Sequence, residues 1–206
     1  MPTASGSSRD RFLDAAVSVI RSRGLHATTV DDLCSAAGLS KGAFFHHFAS
    51  KEELAIAAAE HWSVTTSRRF ADAGYHEHAD PADRVLGYLD FRASLIGAEI
   101  GSYTCLVGTM VQEAYATHPA IRDACAASIV GHAETLEADI AAALLGADPH
   151  TNDVATRAAS LARHTQAVLQ GAFVVSKALD DPKVARDSVR HLRHYFELLF
   201  HRVQRV

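Results

Sequence analysis

The chain has 206 residues, of which 48% are hydrophobic and 21% charged, with a formal net charge of −4. That balance excludes the disordered class, whose low apolar content cannot offset chain entropy, and it leaves enough chain for one large core or two smaller ones. No apolar run approaches the ~18–20 residues that cross a bilayer, and the opening MPTASGSSRDR has no hydrophobic leader, so a cytoplasmic protein without a membrane partner is expected.

Five prolines and a scarcity of β-branched alternation predict an all-α fold. Cys34, Cys105 and Cys125 are odd in number and lack CxxC spacing, which suggests neither a disulfide framework nor a zinc site. No phosphate-cradling glycine loop, HExxH or GxSxG elbow is present, so an enzyme is not expected, nor is a cofactor.

Residues 2 to 8 are small and polar and read as a disordered leader. From Arg9 to Arg23 the apolar Phe12, Leu13, Ala16, Val19 and Ile20 recur at helical spacing, and Gly24 ends the run. Thr28 to Leu54, TTVDDLCSAAGLSKGAFFHHFASKEEL, then holds two short helices around a turn. Thr28-Thr29 offer an N-cap, Asp31 and Asp32 suit the first turn, and Gly38 tolerates a positive φ. Ser40 offers the next cap, and the second helix, Lys41 to Phe48, is too short to stand without partners. Its small Gly42 and Ala43 allow a close approach to another surface, as the first residues of a recognition helix do at base edges in a major groove. Phe44 fits either the core or a base contact. Ser50 and Glu53 open a third capped helix, predicted to run from Lys51 to about Ala73.

These residues resemble the tetracycline-repressor (TetR) family of bacterial regulators. The resemblance rests on Arg9, Phe12-Leu13-Asp14-Ala15-Ala16, Gly24, Thr28-Thr29, Ala36-Ala37-Gly38, Ser40-Lys41-Gly42-Ala43, His47-Phe48 and Ser50-Lys51-Glu52-Glu53-Leu54, over about the first quarter of the chain. It implies a three-helix DNA-binding domain over residues 1–50 and a larger helical effector-binding and dimerisation domain over 51–206. It also implies DNA contacts among Thr28, Thr29, Ser40, Lys41, Gly42, Ala43, Phe44, Phe45, His46, His47 and Lys51. One departure stands out: the family usually has a tyrosine where this chain has Phe45, and a phenyl ring cannot make that hydroxyl's phosphate bond. The acidic net charge does not veto DNA, because residues 1–51 carry six Lys and Arg against four Asp and Glu, and screening limits distant charges to a reach of about 8–10 Å.

Beyond Pro81, helices are predicted over Ala82 to about Glu99, Tyr103 to Thr117 and, as one long element, Ala120 to Leu145. In Asp153 to Leu179 the residues Ala158, Leu161, Thr165, Val168, Ala172, Val175 and Leu179 form a heptad seam. The last helix sets Val189, Leu192, Tyr195, Phe196, Leu199 and Val203 on one side. More apolar face than one core needs suggests a partner, and the resemblance implies a homodimer through the helices 153–179 and 183–203. It further implies a small hydrophobic or amphipathic effector, for which Trp62, Phe91, Cys105, Met110, Glu113, His132, Gln166 and Phe173 are candidate contacts. A packed helical core explains the same residues, and an inert Cys105 is the simplest reading of that thiol. Thirteen histidines raise the question of metal, but His76 with His78, and His191, His194 and His201, lack evident further ligands, so no metal site is expected.

The function these features converge on is a ligand-responsive regulator, a homodimeric repressor released from a double-stranded palindromic operator by its effector. The alternative is a helical adaptor or scaffold that shares the heptads and binds no DNA.

Overall fold

The computed structural model describes residues 6–201, which form eleven α-helices and one 3₁₀ turn, with no strand among them. The described residues contain no helix long and apolar enough to cross a membrane. Two compact units emerge, residues 1–66 with 104–128 and residues 67–103 with 129–206.

The first unit opens with α1 (Ser8–Arg23), which Ser7 and Asp10 start with a reciprocal capping box. The polar leader read over residues 2–8 therefore stops short of Ser7; its first four residues lie outside the described ones. The next helices are α2 (Val30–Ala37) and α3 (Lys41–His47), separated by Gly38 in the left-handed conformation. α4 (Lys51–Ala71) follows, with Ser50 Oγ accepting from Glu53 N–H and the Glu53 carboxylate accepting from Ala49 N–H. Phe12, Phe44 and Phe48 close the core between these helices. Phe12 meets Phe44 edge-on at 5.4 Å and Phe48 at 6.3 Å, and all three rings are at most 2% exposed. Burying each ring is worth roughly 1.5–3 kcal/mol, which is how a seven-residue helix with poor intrinsic stability is held in place.

Residues 104–128 add α7 (Leu106–Ala114) and the first part of α8 (Pro119–Glu134) to this unit. Leu106, Val107, Met110, Ala114, Ile121 and Cys125 are buried there. The helix predicted over Tyr103 to Thr117 is in fact split: α6 (Ile100–Tyr103) ends, and Cys105 caps a fresh start, its Sγ accepting from Gly108 N–H at 3.4 Å.

The second unit contains the 3₁₀ turn Gly74–Glu77, α5 (Pro81–Ser94), α9 (Glu137–Ala147), α10 (Val154–Leu179) and α11 (Pro182–Leu199). α10 packs on α9 and α11, and α5 packs on α9 and α11. Asp80 and Asp181 cap α5 and α11, each followed by proline at the first helical position, where the missing N–H costs nothing. The single long helix read from Ala120 to Leu145 is divided into α8 and α9. No glycine or proline sits at the break; Thr135 Oγ1 donates to the His132 carbonyl and Leu136 N–H bonds the Ala133 carbonyl, so a tighter local turn replaces the α-helical bond.

The heptad seam of α10 also resolves into two lines. Ala158, Thr165 and Ala172 join Ala162, Gln166, Leu169, Phe173 and Ser176 in the interior. Val175 and Leu179 are exposed, along with Val174 on the same helix and Tyr195 and Leu198 on α11. The Val203 end of the predicted last helix lies outside the described residues.

Candidate nucleic-acid interface

The turn between α2 and α3 is built from local chemistry. Thr29 and Asp32 form a capping box at the start of α2, in which Thr29 N–H and Oγ1–H both donate to the Asp32 carboxylate and Asp32 N–H donates back to Thr29 Oγ1. These bonds hold the Asp32 carboxyl below its ordinary range. Gly38 N–H closes α2, and the Arg11 guanidinium reaches from α1 to the Ala37 carbonyl at 2.5 Å. Ser40 Oγ then accepts from Ala43 N–H at 3.1 Å and starts α3.

The candidate DNA contacts divide by what holds them. Thr29, Ser40, Lys41, Gly42, Phe45 and His46 are exposed, with Ala43 half-buried among them. Phe45 is 57% exposed while its neighbour Phe44 is sealed in the core, so the even choice left open for Phe44 falls to packing and its i+1 ring takes the outer face. Lys41 pairs with Asp31 at 2.8 Å, which raises the lysine pKa.

Other residues of the set serve the module itself. Thr28 is fully buried and its Oγ1 donates to the Gly24 carbonyl at 2.6 Å, so its hydroxyl faces no external partner. Lys51 donates its ammonium to the carbonyls of Leu25 and Thr28 at 3.1 and 3.0 Å, tying α4 to the loop before α2. His47 Nε2 meets Ser8 Oγ at 2.5 Å, joining α3 to the first turn of α1. Asp31, the partner that restrains Lys41, is read from the sequence only as a first-turn acid of α2, because pairing with a lysine across a turn has no local signature.

The candidate effector residues separate by unit. In the first, Arg21 lies over the Trp62 ring at 4.8 Å, Cys105 caps α7, and Met110 is fully buried. Glu113 accepts from the backbone N–H of His26 at 2.6 Å and lies against Gly24. All four are thus occupied by packing or capping within that unit. In the second, His132 and Gln166 converge on Tyr88: the hydroxyl lies 3.1 Å from His132 Nε2 and accepts from Gln166 Nε2 at 3.3 Å. Phe91 meets Phe70 edge-on at 5.1 Å, and Phe70 in turn lies 4.8 Å from the His132 ring. Phe173 meets Tyr103 edge-on at 5.9 Å. Tyr88 and Arg92, four residues apart on α5, belong to this cluster and were missed; their i, i+4 spacing was the available signal. Among the described residues no group of three His, Cys, Asp or Glu is placed to hold a metal ion.

Fold and site together define an all-helical protein with a helix-turn-helix head. Residues 12–58 match the model of bacterial regulatory proteins of the tetR family. The chain is 43% identical over 53 residues to the HTH-type transcriptional repressor KstR2 of Mycolicibacterium smegmatis, covering 26% of each chain. With the repressor of the same name from Mycobacterium tuberculosis it shares 36% identity over 84 residues, 39% of this chain and 40% of that one, so each match spans less than half of the relative. Likeness in structure extends further: a TetR transcriptional regulator from Chloroflexus aurantiacus is 26% identical with a TM-score of 0.74, covering 91% of this chain and 93% of that one. Regulatory protein TetR from Rhodobacter sphaeroides gives 0.78 at 19% identity, covering 91% and 97%, a likeness of fold. These likenesses support a TetR-type helix-turn-helix head over residues 12–58 and a fold shared with TetR-family regulators over 91% of the chain.

Proposed function

We propose that this protein is a DNA-binding transcriptional regulator, acting as a homodimeric repressor that a small effector releases from a palindromic operator. The observation that carries the reading is the outer face of α3. Lys41, Gly42, Phe45 and His46 are exposed on a helix whose other side is locked by Phe44 and whose start is capped by Ser40. Such a helix presents its N-terminal residues to a major groove with the backbone able to come close at Gly42. Phe45 supplies an apolar contact of the kind that meets a thymine methyl or sugar, in place of a hydroxyl bond to phosphate. The names of the relatives, transcriptional repressors, agree with this reading.

A dimer is supported by the exposed apolar side chains Val174, Val175 and Leu179 of α10 and Tyr195 and Leu198 of α11. Two copies of such a hairpin paired across a twofold axis would bury them and set two reading helices at the spacing of operator half-sites. Effector contacts are assigned to the second unit, to Phe91, His132, Gln166 and Phe173. Release requires that the effector bind the non-matching state better, with a coupling of ~1–3 kcal/mol.

The test is electrophoretic mobility of the DNA upstream of the chain's own coding region at two salt concentrations, with Lys41→Ala and Phe45→Ala as controls. Discrete bands that resist competitor DNA and weaken at least tenfold in each variant are expected. A wild type that gives no specific band, or variants that bind as well as wild type, would reject the reading and favour a helical adaptor.

A further inference from the structure

Three half-buried arginines of the second unit differ in what they face. Arg84 bonds the Asp139 carboxylate at 2.7 and 2.9 Å, and Arg193 bonds Asp90 at 2.7 Å and also Glu197. Arg92 has no such partner: among the described residues its contacts are all with neutral groups. Its Nε donates to the Tyr88 hydroxyl at 2.9 Å, its Nη2 lies 2.6 Å from His132 Nε2, and its guanidinium sits 4.3 Å from the Phe70 ring centre.

The donors and acceptors around it can be assigned. A guanidinium only donates, so His132 Nε2 accepts, and the imidazole is neutral with its proton on Nδ1. Tyr88 oxygen accepts from Arg92 and from Gln166 Nε2, and since the single lone pair of His132 Nε2 is taken by the closer Arg92, the Tyr88 hydrogen is left for a further acceptor. Burial, reinforced by Arg92, pushes the His132 pKa down to about 3, in agreement with a neutral ring. The site therefore carries one positive charge to which no carboxylate is bonded among the described residues. A half-buried guanidinium without a bonded counter-ion can still take one, and the edge formed by Nη1 and Nη2 matches a carboxylate in two parallel bonds.

A second observation lies along α10. Gln166, Leu169, Phe173 and Ser176 are buried one after another, and Ser176 Oγ has no hydrogen-bond partner among the described residues. The same holds for the hydroxyl of Tyr103, whose ring packs on Phe173. Gln166 and Ser176 are ten residues apart, or ~15 Å along a helix. A buried hydroxyl without a partner costs about 1–3 kcal/mol unless something occupies it.

We propose that Arg92, Tyr88, His132 and Gln166 seat the carboxylate of an elongated organic acid, with its apolar body running past Phe173 towards the orphan hydroxyls of Ser176 and Tyr103. This rests on the effector-responsive reading given above and narrows its effector to an anionic amphiphile. Arg92 supplies the charge and the fork, Tyr88 and Gln166 hold the fork in plane, and Phe70, Tyr75 and Phe91 wall the head group. An alcohol or ester of the same length offers the same apolar body but cannot neutralise Arg92.

The experiment is isothermal titration of the free full-length protein with decanoate, 1-decanol, methyl decanoate and acetate, repeated with Arg92→Gln, Arg92→Lys and Tyr88→Phe. Decanoate is expected to bind at least tenfold tighter than the alcohol or ester, and acetate at least tenfold weaker than decanoate. Arg92→Gln should abolish the preference for the acid, while Arg92→Lys keeps part of it and Tyr88→Phe weakens it. Folding of each variant is checked by far-ultraviolet circular dichroism; should Arg92→Gln fail to fold, the acid-against-alcohol comparison on wild type decides alone. Equal binding of acid and alcohol, no binding of decanoate, or undiminished preference in a folded Arg92→Gln overturns the proposal. Because this titration contains no DNA, its failure beside a specific operator complex rejects only the effector class. Its success beside an absent complex rejects only the regulator reading.

Discussion

His132 shows how one side chain can set a property of the whole domain. Its ring is packed between Phe70 and Tyr88 and receives a guanidinium N–H from Arg92. Burial and that neighbouring charge lower its pKa to about 3, against 6.5 for an ordinary histidine. A basic group whose folded pKa is depressed is neutral in the native state while the unfolded chain takes up a proton below pH 6.5. The unfolded state is then favoured as the pH falls, so the contribution to stability is complete above about pH 6.5 and is lost progressively towards pH 3. The expected size is about 1–2 kcal/mol between pH 7 and pH 5. Urea unfolding of wild type and His132→Asn at pH 7, 6 and 5 measures it. Wild type should lose that much more than the variant, and parallel losses would mean that His132 is protonated in the folded protein. The window lies above most carboxylate titrations, which keeps the acidic residues out of the difference.

At the scale of elements, what could be read in the sequence was what is decided locally. Thr29 and Ser40 start helices where they were expected to, because a cap needs only its own next three residues. Gly38 ends α2 for the same reason. The breaks at Thr104-Cys105 and Thr135-Leu136 escaped because neither has a glycine or proline. The choice of Phe44 over Phe45 for the core depends on how α3 crosses α1, and the grouping of Tyr88, Arg92, His132 and Gln166 joins three helices far apart in sequence. Gly24 sits at the edge of what is legible: a C-cap glycine was expected, but its contact was not. It adopts φ 88° and ψ 163°, a region essentially reserved for glycine, and a Cβ there would overlap the Glu113 carboxylate, which bonds His26 N–H. Gly24→Ala should therefore lower stability by ~1–3 kcal/mol. Glu113→Ala added to it should recover the steric part and leave the backbone part, a coupling that a double-mutant cycle in urea isolates. Additive losses would show that the carboxylate moves aside freely.

For the molecule as a whole, the acidic net charge makes the use of each cation near α3 consequential. Lys41 is held 2.8 Å from Asp31, and both side chains are largely exposed. In water such a pair is weak, since solvent and salt screen it. Before a phosphate it becomes a competition, because Asp31 both occupies the ammonium and repels the DNA. Asp31→Asn keeps the size and the helix position while removing that charge. It is expected to tighten operator binding by up to about tenfold at low salt and to steepen the fall of log K with log salt, since each further phosphate neutralised adds about 0.9 to the slope. Lys41→Ala should shift the slope the opposite way, and the double variant should resemble Lys41→Ala if Asp31 acts through the lysine. Fluorescence anisotropy of labelled operator across a salt series reads all four proteins. A double variant that binds as tightly as Asp31→Asn alone would show that Asp31 acts by direct repulsion of the backbone, with Lys41 contributing no phosphate contact.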